Sequence, residues 1–251
     1  MFIMDMRLVA SLGLVLLMEL VGDTTSSKQT KGEPLNVRIA TVLPQDPTRL
    51  FSIGRVRPAL EIAIADVNRD ILRPRGKLSV EYGDSQCSEM HGMNEAINFY
   101  MSDMVDVFFG PVCDFSLAPV ARQLSFWNIP MITVGGLARA FRKERNITYP
   151  MLTRASTANF HTLTQFFETV SDVFKWKKLK ILYEKDGQDN VLIGLCHLTI
   201  EAVYYGLEDE GFKVDYFKLP DNQSSTTFKS ILTEQVGNKY AGKYTLVQRV
   251  L

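Results

Sequence analysis

The 251-residue chain lacks the short signatures that mark most catalytic sites. It has no G-x-S-x-G or H-E-x-x-H, and no G-x-x-x-x-G-K-[ST] or G-x-G-x-x-G. The nucleophile elbow, the helical zinc pair, the phosphate loop and the dinucleotide turn are therefore not in prospect. Histidine is scarce. His91, His161 and His197 fall on separate predicted helices without acidic partners at ligand spacing, so no metal site is expected. Formal net charge is zero and no basic stripe runs along any segment, which argues against a nucleic-acid partner. With three cysteines the chain is no disulfide-rich scaffold, and the odd number leaves one thiol without an internal partner. No apolar run after the N-terminus is long enough to cross a bilayer.

What is present begins with an apolar run from Leu8 to Met18, preceded by Arg7 and followed by small and polar residues through Ser27. That pattern predicts a secretory signal peptide over 1–22 and a disordered leader over 23–35. Two sequons fit an extracellular destination, Asn146-Ile147-Thr148 and Asn222-Gln223-Ser224.

From Val37 onward, strand-like and helix-like segments alternate. Strands are predicted at 37–43, 78–82, 105–109, 131–134 and 151–154, then at 179–183 and 214–219. Helices are predicted from Arg57, over 89–101 with Met93, Ile97 and Tyr100 inward, and from Ala118 with Pro119 in the first turn. Further helices are expected after a Ser156 or Thr157 cap, over 191–207, and over 225–235. The alternation predicts parallel α/β sheets with right-handed crossovers, in two batches. Residues 243–247 can also pass for a strand.

Cys87 and Cys113 each follow a strand and precede a helix. If those strands are neighbours, their carboxyl ends lie within disulfide reach, and the bridge would contribute roughly 3.5 kcal/mol. A secretory destination favours the bridge over two buried thiols. Backbone N–H groups in the Gly110–Cys113 turn and at the following helix start converge near Ser85, a setting that attracts small anions. Cys196 lies on the apolar face of its helix.

Three blocks are more specific. They are L-P-Q-D-x-x-x-L-F-S-x-x-R-V-R-P-A-L-E (Leu43 to Glu61), Y-G-D-S-Q-C (Tyr82 to Cys87), and F-G-P-V-C-D-F-S-L-A-P-V-A-R with its continuation (Phe109 to Leu137). With Thr153–Ser156 and the Cys196 helix, they resemble the ectodomain of natriuretic peptide receptors, nearer the clearance type than the guanylyl cyclase type. The resemblance covers about residues 36–232. It implies a type I periplasmic-binding-protein-like fold of two doubly wound parallel-sheet lobes, with 36–155 in the membrane-distal lobe and 156–235 in the membrane-proximal one. It implies a Cys87–Cys113 disulfide and a chloride ion held by Ser85, Val112 and Cys113. It also implies a homodimer that binds one peptide hormone.

The chain departs from that family over 236–251, which holds no cysteine for Cys196 to pair with. The expectation is a divergent tail, an incomplete second lobe, an unpaired Cys196 and weakened hormone binding. The full-length form is then a single-pass cell-surface protein, and this chain is luminal or secreted and not an enzyme. Two alternatives stand beside the clearance receptor. One is an ectodomain fragment of a receptor guanylyl cyclase, and the other is a soluble small-molecule binder of the periplasmic type.

Overall fold

The computed structural model describes residues 34–103, 105–156, 159–220, 225–238, 240 and 245–248. The signal-peptide segment and the Asn222 sequon lie outside them. The first sheet is built from β1 (Leu35–Leu43), β2 (Gly76–Asp84), β3 (Val107–Phe109), β4 (Met131–Thr133) and β5 (Leu152–Arg154). Its order is β2-β1-β3-β4-β5 and every pairing is parallel. The second sheet has β6 (Lys178–Tyr183) between β7 (Lys213–Lys218) and β8 (Thr245–Gln248), again parallel.

Helices fill the crossovers that parallel strands require. In the first unit these are α1 (Ile53–Val67), α2 (Glu89–Met101), α3 (Asp114–Trp127) and the single turn α4 (Ala140–Lys143). In the second they are α5 (Phe160–Val173), α6 (Leu195–Asp209) and α7 (Ser225–Ile231), the last running on as a wider π-helical turn over Leu232–Val236.

Each sheet buries its own core. Ala40, Val42 and Phe108 on β1 and β3 meet Leu117, Val120 and Leu124 of α3, all fully buried or nearly so. Leu179 and Ile181 of β6 meet Ile200, Val203 and Leu207 of α6. Side chains of this size stabilise by about 1.5–3 kcal/mol each when fully buried.

Several sequence expectations need correction. Helix α3 starts at Asp114, not Ala118, so Pro119 sits inside the helix. Asp114 supplies a carboxylate to the positive helix end, which favours the earlier start. Helix α5 is capped by Asn159, whose side chain accepts from the Thr162 N–H at 2.9 Å, and not by Ser156 or Thr157. Helix α6 starts at Leu195 because Gly194 takes a left-handed φ of 72°, ending the turns that precede it.

Helix α2 faces the core with Gly92 and Ala96, not with Ile97 and Tyr100, which are 40% exposed. The reason is close packing on α3. A Cβ at Gly92 would come within 1.9 Å of the Ser116 hydroxyl, so the small residues must face inward. Phe174 is also exposed, just past the end of α5.

Candidate functional site

Cys87 and Cys113 are joined by a disulfide, with their Cα atoms 5.4 Å apart. The strands that lead to them, β2 and β3, are not neighbours. They flank β1, and the two loops close over its carboxyl end. The reach comes from the turn after β2. Gln86 and Cys87 adopt left-handed φ values of 47° and 50°, which bend the chain back over the sheet.

The turn is pinned by backbone and side-chain bonds. The Ser85 N–H donates to the Leu43 carbonyl at 3.0 Å and the Ser88 N–H to the Ser85 carbonyl at 2.8 Å. The Asp84 carboxylate accepts from the N–H groups of Gln45 and Gln86, at 2.8 and 2.9 Å. Ser85 is fully buried, and its hydroxyl accepts weakly from the Cys87 N–H at 3.3 Å.

Val112 and Cys113 are 3% and 1% exposed, and Cys113 caps α3. The structure thus brings Ser85, Val112 and Cys113 to one buried corner. Among the described residues, neither the Val112 nor the Cys113 N–H has a protein acceptor. Buried backbone donors of this kind are rare unless something accepts from them. The residues present therefore fit a small anion such as chloride, with the positive end of α3 adding to the field.

A second loop backs the corner. Thr133 donates its hydroxyl to the Pro111 carbonyl at 2.6 Å and accepts from the Gly135 N–H at 3.0 Å. Gly135 lies against Val112 so closely that a Cβ there would fall 2.0 Å from the Val112 carbonyl oxygen. The buried Asp114 carboxylate accepts from three consecutive N–H groups, Gly136 at 2.9 Å, Leu137 at 3.1 Å and Ala138 at 2.7 Å. Burial pushes the Asp114 carboxyl upward from its usual range, and those three donors oppose the rise. Sequence reasoning missed this role; the Asp directly after Cys113 was its only local signal.

The second sheet unit closes the corner from above. Leu192 packs with Leu43, Ile53, Cys87, Val112 and Cys113 in one apolar cluster, joined by Val191, Ile193 and Leu195. Arg49 donates to the Asp189 carbonyl beside it. Gly194 rests on the Phe115 ring, where a Cβ would come within 2.5 Å of a ring carbon.

The remaining predicted residues lie apart from the corner. Cys196 is a buried free thiol on α6, and burial raises its pKa, helped by Asp189 and Glu184. Asn146 is exposed in the turn after α4. Among the described residues there is no cluster of metal-ligating side chains, and no helix is long and apolar enough to cross a membrane.

Comparison with known proteins agrees with this architecture. The chain is similar to an ABC transporter substrate-binding protein from Sphaerobacter thermophilus (TM-score 0.59, 15% identity, covering 80% of this chain and 52% of that one). It is also similar to a solute-binding protein from Rhodopseudomonas palustris HaA2 in complex with p-hydroxybenzoic acid (TM-score 0.57, 14% identity, 84% and 54%). These likenesses show the type I periplasmic-binding-protein-like fold.

Among curated proteins, atrial natriuretic peptide receptor 3 of Homo sapiens is 29% identical over 197 residues, covering 76% of this chain and 35% of the receptor. Atrial natriuretic peptide receptor 2 of Rattus norvegicus is 28% identical over 182 residues, covering 72% and 17%. The chain spans about a third of the length of the receptor 3 relatives it matches. The family described as the receptor family ligand binding region matches residues 55–240. That match takes in Ser85, Cys87, Val112 and Cys113 of the corner, the Asp114 loop and strands β2 to β7, and the chain belongs to this receptor ligand-binding family.

Proposed function

We propose that the chain is an extracellular ligand-binding region of a receptor for natriuretic-type peptide hormones, of the clearance class. The observation that carries this reading is the family match over residues 55–240 together with receptor 3 relatives from several mammals. In this reading the corner of Ser85, Val112 and Cys113 holds a chloride ion, which supplies the acceptor that two buried N–H groups need. The chain works in the secretory pathway, and Asn146 carries a glycan. Its role is binding, and any catalytic output belongs to other parts of a receptor.

A homodimer is part of the proposal. Ile97, Tyr100 and Met101 of α2 and Phe126 of α3 are exposed, and the Tyr100 ring stacks on Trp127 with centroids 4.0 Å apart. Exposed apolar side chains on two neighbouring helices suit an interface between copies.

A chimera tests the hormone reading. Residues 36–235 of this chain replace the matching segment of human atrial natriuretic peptide receptor 3, and surface display is confirmed by antibody. Saturable uptake of labelled natriuretic peptide is expected. A displayed chimera that neither binds nor takes up the peptide would refute the assignment. The second reading, a small-molecule binder, draws on the p-hydroxybenzoic acid complex of a solved relative. It predicts instead that a small aromatic acid stabilises the isolated chain.

A further inference from the structure

The first sheet has two very different edges. β5 has three residues, whereas β2 has nine, Gly76–Asp84. A long edge strand offers a row of backbone donors and acceptors to any other strand that can reach it. Along β2 the inward and outward groups alternate. The Arg75 carbonyl accepts from the Leu35 N–H and the Ser85 N–H donates to the Leu43 carbonyl, so the odd-numbered residues face β1. The even-numbered residues, among them Leu78, Val80 and Tyr82, therefore turn their N–H and C=O groups outward.

One of those outward residues is already occupied. Asn68 opens the wider π-helical turn Asn68–Leu72 that follows α1, beside the edge. Its side-chain oxygen accepts from the Leu78 N–H at 2.7 Å, and its Nδ2 donates to the Leu78 carbonyl at 2.9 Å. The side-chain amide thus copies the peptide unit of a neighbouring strand and meets both groups of one residue. Among the described residues, Val80 and Tyr82 have no comparable partner on that side. The edge is closed at one point and open beyond it.

In one register β2 is complementary to itself. When two copies pair antiparallel with Ser79 opposite Ser79, Leu78 faces Val80 and Gly76 faces Tyr82. These are the outward residues, so each such pair can exchange both of its bonds. Lys77 then lies opposite Glu81 twice, in the closer kind of pair, with Cα atoms about 4.5 Å apart. Opposite charges placed in this way attract across an antiparallel ladder. Both side chains are exposed, and among the described residues neither makes an ion pair within its own chain. That register needs both backbone groups of Leu78, which Asn68 holds.

We propose that the outer edge of β2 is a recognition surface for the same edge of a second copy, and that Asn68 keeps it shut by holding Leu78. The complementarity of Lys77 and Glu81 fixes the partner, because a strand of unrelated sequence lacks it. A two-fold pairing uses Leu78 of both copies, so both Asn68 side chains must let go before the ladder can close. The surface shares no residue with Ile97, Tyr100, Met101 and Phe126. It rests neither on the homodimer placed at those residues nor on hormone binding.

Sedimentation velocity on the full chain tests this, with Phe126→Glu as the parent so that the helix surface does not contribute. Adding Asn68→Ala should double the parent's mass. Adding Glu81→Lys to that chain makes both cross-strand charge pairs repulsive and should return the mass to the parent's. Lys77→Glu on top of Glu81→Lys swaps the charges and should restore the doubled form. General stickiness of a damaged fold does not follow that order of loss and recovery. If the Asn68→Ala chain is not secreted, Asn68→Asp takes its place with the same expectation, because a carboxylate cannot donate to the Leu78 carbonyl. The proposal fails if the Asn68 variant keeps the parent's mass at every concentration. It fails equally if the association ignores Glu81→Lys. The homodimer reading is judged separately, by Phe126→Glu against the original chain.

Discussion

The carboxylate of Asp114 receives the backbone N–H of Ala138 at 2.7 Å, across 24 residues of chain, and fixes the loop that backs the disulfide corner. Leu137 and Gly136 donate to the same carboxylate. Asp114→Ala leaves three donors without their acceptor, and each such loss costs about 1–3 kcal/mol when buried. The variant should lose about 3 kcal/mol or more of stability in urea unfolding. Asp114→Asn should also destabilise, because its NH₂ group faces donors where the carboxylate offered a second acceptor. An Asp114→Ala chain as stable as the parent would remove the loop-fixing role.

Arg38 and Asp106 form a two-pronged pair between β1 and the approach to β3. The guanidinium donates to the carboxylate at 3.0 and 2.9 Å, and the Arg38 N–H adds a third bond at 2.7 Å. Hydrogen bonding by the Arg38 side chain, outweighing burial, lowers the Asp106 pKa. A lowered folded pKa contributes stability above the unfolded carboxylate value, near 3.9. That contribution is lost as pH falls through the folded value. Both side chains are 38% exposed, so solvent screening limits it to about 1 kcal/mol or less. On acidification below about pH 4 the parent should therefore lose slightly more stability than Asp106→Asn. Parallel loss in the two chains would count against the pair.

Cys196 should be unreactive toward an aromatic disulfide reagent in the folded chain and react fully after denaturation. The thiol is fully buried, and burial disfavours the thiolate that attacks. Peptide mapping without reduction should recover Cys196 free and Cys87 linked to Cys113. Recovery of Cys196 in an internal disulfide would contradict both the structure and this expectation.

Phe126→Glu should shift the chain toward monomer in sedimentation velocity with little change in thermal midpoint. Phe126 is 83% exposed and contributes little to the core, so its removal reads out the surface alone. An unchanged mass distribution would place any dimer contact elsewhere.

Much of the fold was legible because strands buried on both faces declare themselves as apolar runs, as Val107–Phe109 does. Helix faces were less legible. Ile97 and Tyr100 have the right spacing for a core stripe, yet the buried face of α2 is set by Gly92 and Ala96, which let it approach α3. The start of α3 was hidden by Pro119, which resembles a first-turn residue although it sits further in. At the corner, Ser85, Cys87 and Cys113 could be found from their local pattern. The strands leading to the cysteines were expected to be neighbours, and β1 between them shows that sheet order does not follow from spacing. The Asp114 loop left only one local sign, the Asp directly after Cys113. It joins residues that only the folded chain brings together.

The place of β1 has a consequence for how the protein is made. It is the first of the described strands to be synthesised, yet it sits inside the sheet, between β2 and β3. Its five consecutive buried residues, Ile39 to Leu43, meet their first partner with β2 and their second only with β3. The growing chain therefore carries a strand with one open side until β3 is made. Parallel pairing of this kind is slow because distant segments must meet before any contact rewards them. Output of the protein from cells should thus depend on chaperone supply during translation more than on the stability of the finished fold.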